Sequence, residues 1–233
     1  MPADYSDSTV IIPTCNEARN IGGVVGEVAR AYPSVSILVV DDCSTDGTIG
    51  IVKKLAQKNK KIKLIVRKNK QKGLTASIID GIENAKTKYV VVMDGDGQHP
   101  PEKIRELVDA LRAGKEVAVA YRTSVPGWAL HRQIISIGAA LLGRIFLFAQ
   151  GAPSCRDILS GFFGINTELA KKTIGKNGCR FVGGGYKFLY DFLKCLPRSA
   201  KIGEVGYVFG LRERGSSKIG FRQYASFLKS LLT

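Results

Sequence analysis

The sequence predicts an α/β fold with a mostly parallel central sheet flanked by helices, and three features carry that expectation. Short apolar runs without polar alternation recur along the first half of the chain, as strands buried on both faces do. Segments with apolar residues at helical spacing lie between them, so strand and helix alternate as in βα units. Acidic, Gly/Ser/Thr-rich turns follow the ends of the apolar runs, on the rim where such sheets bind ligands. The 233 residues are 45% hydrophobic, enough for one full α/β core.

Thr9–Pro13 (TVIIP) reads as a first strand ended by proline. Asn20–Ala31 reads as a helix with Ile21, Val24, Val25 and Val28 on one face. VSILVVDDCSTDGT repeats the plan, a strand closing on Asp41 and Asp42 with turn residues leading into a helix over Ile49–Lys58. KIKLIVR is a third strand and Thr75–Ala85 a further helix. KYVVVMDGDG forms a fourth strand, and PPEKIRELVDALRAG a helix with proline in its first turn and glycine past its end. EVAVAYR is a fifth strand.

From Ser124 the character changes. Residues 128–149 form an apolar helical stretch holding Trp128, Arg132 and Arg144, either an ordinary buried helix or one lying in a membrane interface. CRDILSGFFGIN is strand-like, and a helix is expected near Tyr186–Cys195. The basic segment GLRERGSSKIGFRQY and an amphipathic tail, YASFLKSLLT, follow.

Lys plus Arg number 35 against 20 Asp plus Glu, a net charge of +15, which calls for an anionic partner such as nucleotide phosphates, an acidic membrane surface or nucleic acid. Nucleic acid is disfavoured because no helix clusters base-reading residues and no basic–aromatic interleaving occurs. A dinucleotide-binding oxidoreductase is disfavoured because no GxGxxG follows the first strand. Five cysteines without a CxxC pair and only two histidines argue against a disulfide framework or a zinc site and make a reducing cytosol the default. The first residues lack a signal-peptide pattern. The apolar run Ile134–Ala149 is short for a membrane crossing and contains Arg144, so no transmembrane helix is expected.

The sharpest chemical signal is Asp94-Gly95-Asp96 at the end of the fourth strand, followed by Gln98. On a continuing strand the two carboxylates share a face, and Gly95 lets a ligand approach the backbone. Two carboxylates and an amide oxygen suit Mg²⁺ or Mn²⁺ bridged to substrate phosphates. A solvated Asp–Gly turn is the alternative. His99 reads as a turn residue packed beside Pro100, Asp157 as a structural or acceptor-side group, and Lys53–Lys72 as a solvated basic face.

VIIPTCNEARNI, LVVDDCSTDGT, KGLTASIIDGI, VVVMDGDGQHPPEKI, DILSGFFGIN and YVFGLRERGSSKIG stand in the order found in family 2 glycosyltransferases. Over about residues 8–220 the chain resembles the polyprenyl-phosphate glycosyltransferases of that family, most closely the dolichol-phosphate mannose synthases. The resemblance implies a GT-A fold, with residues 1–220 as the catalytic domain, 128–149 as a membrane-interface helix and 221–233 as an amphipathic tail. It implies inverting transfer of mannose from GDP-mannose to dolichyl or another polyprenyl phosphate, with a UDP-sugar donor as the alternative. The enzyme would use Mg²⁺ or Mn²⁺ and sit peripherally on the cytosolic face of a membrane, held there by an anchoring partner or a continuation beyond Thr233.

By the same resemblance Pro13, Cys15, Glu17, Val40 and Asp42 hold the nucleoside, with cysteine where these enzymes carry tyrosine. Asp94 and Gly95 line the nucleotide-sugar, and Asp96 with Gln98 ligate the metal. Arg122, Lys187, Arg212 and Lys218 contact donor phosphates or sugar; Arg212 and Lys218 read equally as a solvated basic loop. Arg122, Arg132 and Ser136 take the acceptor phosphate. Asp96, Arg122 and Arg212 are the residues on which catalysis would rest.

Overall fold

The structure, a computed structural model, describes residues 4–68, 72–181 and 187–210; the side chains of His131, Arg132 and Cys179 lie outside this description. Seven strands form one sheet: β1 (Ser8–Thr14), β2 (Ser36–Asp41), β3 (Ile62–Val66), β4 (Tyr89–Val92), β5 (Val117–Ser124), β6 (Phe163–Asn166) and β7 (Ile202–Val208). Their order is β3-β2-β1-β4-β6-β5-β7. All pairings are parallel except those of β6, which runs antiparallel to both β4 and β5. The expected parallel sheet is therefore present, with one reversed strand inside it.

The helices are α1 (Ile21–Ala31), α2 (Thr48–Lys58), α3 (Leu74–Asn84), α4 (Lys103–Arg112), α5 (Leu130–Ala149), α6 (Thr167–Asn177) and α7 (Phe188–Lys194). They cover both faces, and alternation along the strands divides the core accordingly. Val10 and Ile12 of β1 join Val24, Val28, Val52 and Leu107 on one side, whereas Ile11 joins Ile78, Ile82 and Phe188 on the other. The expected face of α1 (Ile21, Val24, Val25, Val28) is the buried one. On α3, Gly81 admits the closest helix–sheet contact: a Cβ there would lie 2.6 Å from Ile11 Cγ2. Past the end of α4, Gly114 takes φ +89°, the left-handed conformation that glycine adopts freely.

Two elements escaped the reading of the sequence. α6 buries Ala170 and Ile174 with Leu169 partly covered, a short apolar face, and its asparagine cap, Asn166, accepts from Leu169 N. β7 is broken in sequence by Gly203 and Gly206, which pack where a Cβ would lie 3.2 Å from Ala110 Cβ and 3.1 Å from the Tyr121 hydroxyl. The strand-like 155–166 run is corrected as well: only Phe163–Asn166 is a strand, and the residues before it turn across the rim.

Among the described residues, α5 is the helix with a large uncovered apolar face. Ile137, Leu141 and Phe148 are 68%, 57% and 69% exposed, while Phe146 and Leu147 pack against the core. Arg144 donates to the Arg156 carbonyl and so turns toward the protein. Trp128, just before the helix, is half-buried against Phe209, ring centroids 5.8 Å apart. Among the described residues no helix is long and apolar enough to cross a membrane.

Candidate active site

The carboxyl ends of β1, β2 and β4 and the loops beyond them gather most of the expected residues on one rim. At the β1–β2 end, Pro13 is paired in register with Val40, and Asp42 N donates to Thr14 O. Asp41 is fully buried and accepts from both the backbone and the hydroxyl of Ser44, so it builds the turn. Asp42 is left at the rim. The loop carrying Cys15 and Glu17 is fastened across this turn: Asn16 N donates to Ser44 Oγ, Glu17 N to Thr48 Oγ1 and Ala18 N to Asp46 Oδ2. Asn16 and Cys43 adopt positive φ (54° and 59°), a left-handed strain that non-glycine residues accept mainly at functional turns. Val40 is wholly buried, so its side chain serves the core and only its backbone faces other uses.

Asp94 and Asp96 do not continue a strand as expected, because β4 ends at Val92 and both lie in the following turn. Gly95 also answers to the core: a Cβ there would lie 3.2 Å from Ile21 Cδ1 and 3.3 Å from Ile12 Cγ2. His99 holds this turn. It is 3% exposed, its Nδ1 accepts from Asp94 N at 3.0 Å, and its ring stacks on Phe162 at 5.0 Å. Burial drives its imidazole down to about 4, so it is a neutral acceptor at this position. It is a packed turn residue, as expected, and the structure adds its hold on the Asp94 backbone. A Cβ at Gly161 would come within 3.1 Å of Asp94 Oδ2, so the SGFF turn and the acidic turn fit against each other.

Asp96 and Gln98 form the pair able to take a divalent cation. Asp96 Oδ1 accepts from Gln98 N at 3.1 Å. Gln98 Nε2 donates to Gly210 O at 2.9 Å, so the amide oxygen is the atom that could take a cation. Among the described residues no cluster of three or more His, Cys, Asp or Glu forms a closed metal cage. Two oxygen ligands suit a cation completed by substrate phosphates and water.

Cations stand opposite these acids. Arg122, at the end of β5, makes a two-pronged ion pair with Asp157: Nε–Oδ2 2.7 Å and Nη2–Oδ1 3.0 Å. Its guanidinium lies over the rings of Trp128 (5.3 Å) and Phe209 (5.9 Å). Burial works against its charge, and Asp157 more than offsets that, raising its pKa. Lys187 donates toward Leu159 O, and burial together with the nearby Arg122 charge lowers its ammonium to about 7, despite the favourable influence of Asp157 and Asp94. Asp157 thus holds the guanidinium of Arg122 through both oxygens.

Ser136 lies half-buried on α5. Arg212 and Lys218 fall outside the described residues, as does the side chain of Arg132. The described lysines of the Lys53–Lys72 stretch are exposed, whereas Arg67 is 4% exposed and bonded to Asp42 and Asp80.

A family model described as glycosyl transferase family 2 matches residues 9–173. The chain belongs to that family. It is 34% identical to a dolichol-phosphate mannosyltransferase of Pyrococcus furiosus over 96% of its own length, but it spans only 62% of that relative, less than two thirds. It is 32% identical to the dolichol-phosphate mannosyltransferase of Saccharomyces cerevisiae, covering 99% of this chain and 86% of the yeast protein. A polyprenol monophosphomannose synthase of Mycolicibacterium smegmatis is 34% identical over 90% of this chain and 80% of its own. Among solved structures, the glucosyl-3-phosphoglycerate synthase of Mycobacterium tuberculosis, in complex with Mn²⁺, UDP-glucose and phosphoglyceric acid, superposes with a TM-score of 0.66 at 20% identity, covering 96% of this chain and 79% of that one. At that identity the likeness establishes the fold of this family 2 transferase, which is GT-A.

Proposed function

We propose that this chain transfers mannose from GDP-mannose to dolichyl or another polyprenyl phosphate, with inversion, to give a lipid-linked β-mannosyl phosphate. The observation that carries the proposal is the confrontation, on one rim, of the Asp94/Asp96/Gln98 turn with the Arg122–Asp157 pair and Lys187. The names of the relatives at 32–34% identity supply the sugar and the lipid.

The residue types fit such a reaction. The acceptor phosphate is already an anion, so its oxygen needs no general base to attack the anomeric carbon. His99 and Asp157 are not poised as one: His99 Nδ1 already accepts from Asp94 N, and both oxygens of Asp157 are taken by Arg122. What the protein must do is align two anions and stabilise the departing diphosphate. Arg122 and Lys187 supply positive charge for the donor phosphates, and Arg122 with Arg132 and Ser136 receives the acceptor phosphate. Arg212 and Lys218 complete the donor contacts. Pro13, Cys15, Glu17, Val40 and Asp42 hold the nucleoside, and Asp94 and Gly95 border the sugar. Asp96 and Gln98 would hold Mg²⁺ or Mn²⁺, which when bound neutralises charge on the diphosphate leaving group.

Residues 1–220 form the catalytic unit in this reading, with 221–233 as an amphipathic tail. The exposed face of α5 lies on the interface with the cytosolic leaflet, where the acceptor phosphate is fixed, and a membrane-anchoring partner would hold the protein there. The test is a panel of GDP- and UDP-sugars incubated with a short polyprenyl phosphate and either cation. Lipid-linked product from GDP-mannose alone, lost on chelation and in Asp96→Ala, is the expected result. Product from a UDP-sugar in its place, or full activity in excess chelator, would overturn the donor or the metal assignment respectively.

A further inference from the structure

We infer that Arg67 is a positioning residue that sets the base selectivity of the nucleotide site by fixing Asp42 as a pure hydrogen-bond acceptor. This rests on the proposal that the β1–β2 rim holds the donor's nucleoside. The β3 end carries Arg67 into the interior, with its backbone N bonded to Asp41 O at 2.9 Å. Its guanidinium, 3% exposed, lies between two carboxylates: Nη1 reaches Asp42 Oδ1 at 2.6 Å and Nε reaches Asp80 Oδ2 at 2.7 Å. The second oxygen of Asp42 accepts from Gly73 N at 2.8 Å. Each oxygen of that carboxylate is thereby pinned by one donor from within the protein.

Two consequences follow from the chemistry. A carboxylate has about four acceptor positions, and the protein fills one on each oxygen, leaving one acceptor direction on each. The Asp42 side chain, just past the carboxyl end of β2, is 10% exposed and so largely withdrawn from bulk water. Secondly, one buried guanidinium serves two carboxylates. Held by Asp80 on one side, the guanidinium presents Nη1 to Asp42 in a set direction and so fixes the plane of that carboxylate.

A ligand edge with adjacent N–H donors complements such a group. Guanine offers a ring N–H beside an exocyclic amine, and uracil a ring N–H. Adenine and cytosine present an acceptor nitrogen at the corresponding ring position, which meets carboxylate lone pairs. The site would therefore favour lactam-bearing bases, and Arg67, though it touches no ligand itself, would hold the discriminating plane in place.

The experiment reads nucleotide binding, not transfer, so an error in the proposed sugar or lipid leaves it unaffected. Affinities of GDP, UDP, ADP, CDP and inorganic pyrophosphate are measured calorimetrically with Mn²⁺ for the native chain, Arg67→Met and Asp80→Asn. The native chain should prefer GDP or UDP over ADP and CDP by about tenfold to a hundredfold, the range of a charge-assisted hydrogen bond. Arg67→Met should remove most of that preference while pyrophosphate affinity stays within about threefold. Asp80→Asn, which preserves shape and decides the matter should Arg67→Met not fold, should narrow the preference in the same direction. If every nucleotide and pyrophosphate weaken in parallel, Arg67 is merely structural and the inference fails. Unchanged selectivity in Asp80→Asn and in folded Arg67→Met also overturns it. A native chain that binds no nucleoside diphosphate overturns both this inference and the nucleotide-site reading.

Discussion

Lys187 should make donor binding depend on pH, because burial and the Arg122 charge hold its ammonium at about 7 instead of 10.5. An anionic diphosphate placed against that ammonium favours its charged form, so the pKa rises on binding and the complex takes up a proton. The sign follows directly. Below 7 the free site is already protonated and affinity is at its plateau; above 7 each binding event must first restore the proton. With a free-state value of about 7, the protonated fraction is roughly 0.9 at pH 6 and 0.1 at pH 8, so affinity should fall about tenfold, or about 1.4 kcal/mol, across that interval. A nucleotide-sugar is the right ligand, since neither of its phosphates titrates there. Calorimetric affinity for GDP-mannose from pH 6 to pH 8 checks the expectation, with Lys187→Met as control, weaker throughout and nearly flat. A flat profile in the native chain, or an equal slope in Lys187→Met, would refute the assignment. The same depression makes the ligand-free fold gain stability as pH rises from about 7 toward 10.5, because the unfolded chain holds this proton longer.

Three further expectations follow from the geometry. Asp157→Asn preserves shape but removes the charge facing Arg122; kcat/KM should fall by about a hundredfold or more as the guanidinium loses its orientation, and stability should drop by about 2–3 kcal/mol, below the fully buried limit because Arg122 is 19% exposed. Native-like turnover in that variant would remove Arg122 from the reaction. Gly81→Val should lower the unfolding free energy by about 1–3 kcal/mol in urea, since even a Cβ would lie 2.6 Å from Ile11 Cγ2; an unchanged midpoint would contradict the close packing. Making Ile137, Leu141 and Phe148 polar should reduce sedimentation with anionic vesicles by roughly tenfold or more without lowering the melting temperature, because these side chains face outward. Equal vesicle binding would place the membrane contact elsewhere.

Local patterns revealed much of this fold because most of its elements are locally determined. The apolar runs at 9–13, 36–41 and 89–92 are buried on both faces and read as strands without ambiguity. β7 was hidden because Gly203 and Gly206 answer to α4 and the Tyr121 ring, neighbours distant in sequence. The reversal of β6 was equally hidden, since a four-residue strand carries no mark of direction. At the site, motif residues were legible but their supports were not. Asp94 can be seen in the sequence; that His99 carries its backbone N–H is a matter of a turn closing over five residues. Arg67 looked like one more cation in a basic stretch because its partners, Asp42 and Asp80, lie on two other elements. The aromatic setting of Arg122 shows the same thing: the contact of Trp128 with Phe209 is made across the fold.

The central claim is group transfer to a lipid phosphate, and the lipid product is its most direct measure. The chain is incubated with GDP-mannose, a short polyprenyl phosphate and Mn²⁺, and the lipid fraction is resolved by mass spectrometry and anomeric NMR against GDP release. The account predicts one β-configured mannosyl phosphate lipid for each GDP formed. GDP release matched by free mannose with no lipid-linked sugar, or an α-configured product, would contradict it.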